Sequence, residues 1–210
     1  MRGVYLVTDR GLCGGRPLEE IVIQALKGGI SFVQLREKEI STRSFVEEAG
    51  RIKELLEPYK VPLIINDRVD VAVACGAEGV HIGQEDMPYE IVRKIMGEKA
   101  IIGLSVETWE DVVVSQKLDV SYIGVSPIFA TSTKTDTKGA WGLEGLARIK
   151  AFSRHPLVAI GGINESNVSE IVMAGVECIA VVSAICASPD PEAVARRINE
   201  RINSSLKERS

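Results

Sequence analysis

Residues 32–66 read FVQLREKEISTRSFVEEAGRIKELLEPYKVPLIIN. A short apolar run, Phe32 to Arg36, is followed by a stretch of helical period, Thr42 to Leu56, and then by a second apolar run, Leu63 to Asn66. Ser41 and Thr42 bring the hydroxyl oxygens that start helices by accepting from exposed backbone N–H groups. Two strands joined through a helix run parallel, and such crossovers are right-handed.

The same unit recurs on both sides of this stretch. Further strands are predicted at Val4 to Val7, Gly79 to Ile82, Ile101 to Ser105, Tyr122 to Val125, Leu157 to Ile160 and Cys178 to Val182. Helical period marks Leu18 to Lys27, Tyr89 to Met96, Glu110 to Lys117, Glu144 to Phe152 and Asn167 to Ala174, with Pro191 to Leu206 closing the chain. Pro88 and Asn164 act as start signals, and Gly28, Gly97 and Gly175 as stops. No Pro, Gly or Ser-rich linker interrupts the alternation, so residues 1–210 are read as one domain. Eight strand-then-helix units in 210 residues suit an α/β fold closed into a single (β/α)₈ TIM barrel. The competing open doubly wound sheet lacks its usual mark, because Thr8 to Arg16 does not spell GxGxxG.

Composition narrows the function. Lys and Arg number 25 against 29 Asp and Glu, a net charge of -4, which argues against a nucleic-acid footprint over the whole surface. Cys13, Cys75, Cys178 and Cys186 form no CxxC pair and lie mostly in apolar stretches, as buried thiols of a reducing compartment do. No signal-type segment and no bilayer-length apolar run are present, so a soluble cytoplasmic protein without membrane contact is expected. A homo-oligomer is compatible with the sequence.

Barrels place their chemistry in the loops after the strands, so polar residues at strand ends carry the functional reading. Period two puts Gln34, Arg36 and Lys38 on one face and Val33 and Leu35 on the other. With the apolar pair against the helices, the polar row looks inward, where Arg and Lys need carboxylates, water or an anionic ligand such as a diphosphate. Ion pairs with Glu37 or Glu39, or a solvated edge strand, are the plainer alternatives; a closed barrel has no edge strand.

Asn66-Asp67-Arg68 ends the third strand and Gly83-Gln84-Glu85-Asp86 follows the fourth. Asp67 and Asp86 suit Mg²⁺, which takes one or two carboxylates and phosphate oxygens, and equally suit helix N-caps; spacing alone does not choose. Ser126 to Gly142 is the longest irregular stretch, with hydroxyls, Lys134 and glycines fitting either a phosphate-binding lid or a solvated loop. Gly161-Gly162 and Val182-Ser183-Ala184 follow the last two strands, where many barrels hold phosphate, although a tight turn with Ser183 as a cap explains them too. His81 is read as a satisfied barrel residue, His155 as surface, and Trp109 and Trp141 as packing.

Taken together, Tyr5 to Asp9, Gln34 to Lys38, Ile65 to Arg68, Gly79 to Met87, Gly103 to Ser105, Pro127 to Lys134, Gly161-Gly162 and Val181 to Ile185 resemble the thiamin phosphate synthase family over nearly the whole chain. The resemblance implies an enzyme acting on two small phosphorylated substrates with Mg²⁺. It implies that Gln34, Leu35, Arg36, Glu37, Lys38, Asn66, Ser105 and Lys134 take the pyrimidine diphosphate, with Arg36, Lys38, Lys134 and Ser105 catalytic. Thr131, Ser132, Thr133, Gly162, Val182 and Ser183 would hold the thiazole phosphate, and Asp67 and Asp86 the metal. The chain departs from the family pattern at Ala130, where Pro is frequent, and at Ser126, where Gly is; both bear on the lid more than on the reaction. Two rivals share the barrel: a thiazole tautomerase, whose histidine after strand six is replaced here by Pro127, and a non-catalytic sensor of phosphorylated ligands.

Overall fold

Alternation along each strand assigns one set of side chains to the helices and the other to the barrel interior. The computed structural model describes residues 1–131 and 139–209. Its eight strands are β1 (Gly3–Val7), β2 (Phe32–Leu35), β3 (Leu63–Asn66), β4 (Gly79–Ile82), β5 (Ile101–Val106), β6 (Tyr122–Val125), β7 (Leu157–Ile160) and β8 (Cys178–Val181). They pair in parallel in chain order, and β8 closes on β1 with Tyr5 opposite Ala180. The TIM barrel expected from the sequence is the fold found.

Val4, Leu6, Val33, Leu35, Leu63 and Ile65 face outward into a continuous apolar layer shared with the helices. Tyr5, Val7, Ile64, Tyr122, Val158 and Ala180 face inward and fill the barrel. Each fully buried aliphatic side chain stabilises by roughly 1.5–3 kcal/mol relative to exposure. A single slip in register would exchange the two sets, so the alternation fixes the pairing.

Space inside is tight where β5 meets β6. Gly103 stands opposite Tyr122, and a Cβ there would lie 2.1 Å from the ring's Cζ. Only a residue without a side chain admits this tyrosine at the barrel axis.

The outer ring consists of α1 (Leu18–Lys27), α2 (Thr42–Leu56), α3 (Val69–Cys75), α4 (Tyr89–Met96), α5 (Trp109–Ser115), α6 (Gly142–Phe152), α7 (Val168–Met173), α8 (Ser183–Cys186) and α9 (Pro191–Arg209). Ser41 caps α2 by accepting from the Ser44 N–H at 3.2 Å. Thr108 and Asp111 form a reciprocal capping box that starts α5. At α7 the start lies at Asn167 rather than Asn164, because the Asn164 side chain is taken by the Ser166 N–H at 2.8 Å. Helix α9 packs against α1 and α7 and so closes the ring.

Helices α3 and α8, not anticipated in the sequence, are short and carry no side-chain N-cap. His155 is buried rather than on the surface, with Nε2 3.0 Å from the Ser115 carbonyl. All four cysteines are free thiols; Cys13, Cys178 and Cys186 are buried, and burial pushes Cys178 up to about 12. Among the described residues, no helix is long and apolar enough to cross a membrane.

Candidate active site

Beyond Leu35 the row of alternate residues continues past the end of β2, and Gln34, Arg36 and Lys38 all line a cavity of about 450 Å³ at the C-terminal ends of the strands. Gln34 is buried, and its amide donates to the Tyr5 hydroxyl at 3.0 Å. The Arg36 guanidinium lies 3.5 Å from Asp9, whose other carboxylate oxygen accepts from the Gly11 N–H. Lys38 Nζ reaches Asp67 Oδ2 at 2.6 Å. Arg36 and Lys38 keep 33% and 54% side-chain exposure, enough for each cation to exchange its carboxylate for an entering anion.

Leu35 and Glu37 point the other way, so their side chains do not line the cavity, against the expectation that the whole run from Gln34 to Lys38 meets the ligand. Period two is the reason: Leu35 is fully buried in the outer layer, and Glu37 turns toward Arg10, which also pairs with Glu48 of α2. Glu37 Oε1 lies 3.2 Å from Arg10 without hydrogen-bond geometry. Burial pushes this carboxyl above its ordinary range, with Glu48 adding in the same direction.

Asp67 and Asp86 face one another at the cavity wall. Asp67 adopts a left-handed backbone at φ 61, a conformation Asp tolerates better than most residues, and its N–H donates to the His81 carbonyl at 2.8 Å. Asp86 Oδ2 accepts from the Gly83 N–H at 2.6 Å. Partial burial raises the Asp86 pKa, and the Asp67 carboxylate beside it raises it further. Neither caps a helix, since α3 follows Arg68 and α4 follows Pro88 without any side-chain cap. The N-cap alternative is therefore set aside. Among the described residues no group of three or more His, Cys, Asp or Glu gathers for a metal. Two hard oxygen donors facing a cavity still fit Mg²⁺, which leaves several positions to water and phosphate.

The cavity floor is a line of hydrogen-bonded side chains. Tyr5 Oη lies 2.8 Å from Tyr122 Oη, which lies 2.9 Å from His81 Nδ1, and His81 Nε2 lies 2.8 Å from Ser105 Oγ. His81 is satisfied, as expected, but it also lines the cavity. Tyr5 and Tyr122 were not anticipated as lining residues; the signal available was two tyrosines at inward strand positions, whose hydroxyls need partners inside the barrel.

On the far side, Gly161 and Gly162 have φ of 104 and 65. A Cβ at Gly162 would lie 2.7 Å from the Ala130 carbonyl, so both the turn and its close approach require glycine. Asn167 Nδ2 donates to the Gly162 carbonyl at 2.9 Å, anchoring the turn. Gly162 lines the cavity with Thr131, Val182 and Ser183, and Asn66 and Ser105 complete the wall toward Gln34. Ser132, Thr133 and Lys134 lie outside the described residues, as does the middle, 132–138, of the stretch read as a lid. Trp109 packs against Phe152, and Trp141 donates to the Ser126 carbonyl, so both tryptophans serve packing.

Catalytic groups of closed parallel barrels gather at this end of the strands, and the cavity assigns the molecule to the (β/α)₈-barrel enzymes. Residues 4–185 match the family described as thiamine monophosphate synthase, and the chain belongs to that family. It is 52% identical to the thiamine-phosphate synthase of Albidiferax ferrireducens over 201 residues, covering 96% of this chain and 92% of that protein. With the enzyme of the same name from Leptospira biflexa it shares 52% identity over 196 residues, 91% of this chain and 93% of the relative. The solved thiamine phosphate pyrophosphorylase of Pyrococcus furiosus superposes with a TM-score of 0.90 at 36% identity, covering 97% of this chain and 96% of that one.

Proposed function

We propose that the barrel joins 4-amino-2-methyl-5-(diphosphomethyl)pyrimidine to 4-methyl-5-(2-phosphoethyl)thiazole, releasing thiamin phosphate and diphosphate. The observation that carries this reading is that Lys38 meets the Asp67–Asp86 pair while Arg36, beside Asp9, lines the same cavity. A tautomerase has no diphosphate to bind and no use for that combination.

In this reading Gln34, Asn66 and Ser105 receive the pyrimidine, and its diphosphate lies against Arg36 and Lys38. Lys134 joins them from the stretch outside the described residues. Thr131, Gly162, Val182 and Ser183, with Ser132 and Thr133, hold the thiazole phosphate across the cavity. Mg²⁺ held by Asp67 and Asp86 would neutralise charge on the diphosphate as it departs.

The bond between the pyrimidine methylene carbon and diphosphate oxygen breaks, and both electrons leave with the oxygen. The resulting cation is stabilised by the aminopyrimidine ring, and the thiazole nitrogen lone pair forms the new C–N bond. No protein nucleophile and no proton transfer are needed. The contribution of the chain is to fix the two rings in line and to place cations where negative charge grows. The free thiols support a reducing compartment, and we read the protein as cytoplasmic.

The test mixes purified protein, both phosphorylated precursors and Mg²⁺, and follows thiamin phosphate and diphosphate. Equal amounts of the two products are expected. Isomerisation of the thiazole phosphate alone would instead make the protein a tautomerase, and binding of both precursors without product would make it a sensor.

A further inference from the structure

The side-chain line across the cavity floor has a direction that hydrogen-bond counting fixes. Gln34 Nε2 donates to the Tyr5 hydroxyl, so the single proton of Tyr5 goes to its other partner, Tyr122. Tyr122, accepting from Tyr5, gives its own proton to His81 Nδ1. An unprotonated Nδ1 places the proton of a neutral imidazole on Nε2, which then donates to Ser105 Oγ. Both phenols are fully buried, and burial holds their pKa values well above the ordinary tyrosine range, so each keeps the proton the line requires.

At its two ends the line leaves opposite groups for the cavity. Gln34, with its nitrogen engaged below, presents its carbonyl oxygen as an acceptor. Ser105, already accepting from His81, presents its hydroxyl proton as a donor. The packing holds this arrangement closely: a Cβ on Gly103 would meet Tyr122 Oη at 2.3 Å and His81 Nδ1 at 2.5 Å, and one on Gly124 would meet His81 Cε1 at 3.0 Å.

We propose that Tyr5, Tyr122 and His81 are positioning residues that set this polarity, and that through Gln34 and Ser105 they make the site select a 4-aminopyrimidine over its 4-oxo counterpart. The inference rests on the substrate pair proposed above. An aminopyrimidine offers an N–H to the Gln34 oxygen and a ring nitrogen to the Ser105 hydroxyl. The oxo ring offers a carbonyl and a ring N–H, the reverse pattern. Ser105 keeps a second lone pair for that ring N–H, but the oxo carbonyl meets the Gln34 oxygen unless Gln34 turns its amide, which withdraws the donor from Tyr5 and upsets the line.

Two measurements test this. In ¹⁵N NMR of the wild-type protein, His81 Nε2 is expected to carry the proton and Nδ1 to be bare; a proton on Nδ1 overturns the proposal whatever the enzyme's turnover. In kinetics, Tyr122→Phe is expected to lower the ratio of kcat/KM for amino over oxo diphosphate by about tenfold or more while KM for the thiazole phosphate stays unchanged. Tyr5→Phe provides the same comparison should Tyr122→Phe fail to fold. A folded variant with an unchanged ratio overturns the proposal. A wild type that makes no thiamin phosphate overturns the substrate reading instead, and the NMR result still decides the polarity of the line.

Discussion

An alanine at Gly103 would bring one methyl group into the floor of the barrel, 2.1 Å from Cζ of Tyr122. Carbon atoms in contact sit about 3.5 Å apart, so the ring must retreat by roughly 1.4 Å. Tyr122 is fully buried, and its hydroxyl is held by Tyr5 at 2.8 Å and His81 at 2.9 Å. A retreat of that size breaks both bonds. Overpacking costs about 1–3 kcal/mol, and two lost bonds, each worth about 1 kcal/mol, bring the expected destabilisation to about 3–5 kcal/mol. For a chain of this size that corresponds to a fall in Tm of about 6–20 °C. Gly50, inside α2, is the internal control, because nothing lies within 4 Å of a Cβ added there. Gly50→Ala is expected to stabilise by about 0.5–1 kcal/mol through helix propensity alone. Urea unfolding of both variants beside the wild type reads the two signs together. A Gly103→Ala protein as stable as Gly50→Ala would refute the account of how the barrel interior is packed.

Arg36→Ala is expected to reduce kcat/KM by about 10² to 10³, near 3 kcal/mol of transition-state stabilisation. Its Tm should scarcely move, because a half-exposed pair as long as Arg36–Asp9, at 3.5 Å, contributes about 1 kcal/mol or less. Near-normal turnover in steady-state assays would remove Arg36 from the mechanism. Asp67→Asn keeps a side chain that accepts the left-handed backbone at this position, so the variant should fold by circular dichroism. Its Mg²⁺-dependent rate should nonetheless fall by about 10²-fold or more, and an unchanged Mg²⁺ titration would count against the carboxylate pair. Glu37 has a folded-state pKa raised by burial, so between the ordinary value, about 4.3, and that raised value the native state binds more protons than the unfolded chain. Stability contributed by this group is therefore lost as pH rises through that window. Glu37→Gln should flatten the decline and leave the protein at least as stable at neutral pH, whereas a variant weaker than wild type there would show that the charged pair with Arg10 stabilises the fold.

Strand positions were legible because each strand of this barrel is apolar outward and bounded by polar residues; β3, β4, β6 and β7 begin and end where the sequence pattern does. Helices α1, α2 and α4 were equally clear, each having a full amphipathic period. Helix α3 is not legible in the sequence because Val69 to Cys75 is short, rich in β-branched residues and without a cap, and packs against α2 and the barrel to become helical. His155 reads as surface in the sequence because its partner, the Ser115 carbonyl of α5, lies 40 residues away. In the cavity, inward-facing polar residues stood out, since a packed core rejects charge. The interior tyrosines did not, because an aromatic ring at an inward position looks like ordinary core until its hydroxyl finds a partner. Glu37 and Leu35 illustrate the converse: membership in a contiguous motif says less about facing than the period-two alternation does.

The most direct measurement is a crystal structure of the protein with inorganic diphosphate and Mg²⁺. Diphosphate oxygens within hydrogen-bond distance of both Arg36 and Lys38, and a metal ion joining them to Asp67 and Asp86, are the expected result. Diphosphate bound elsewhere, or a metal touching neither aspartate, would contradict it.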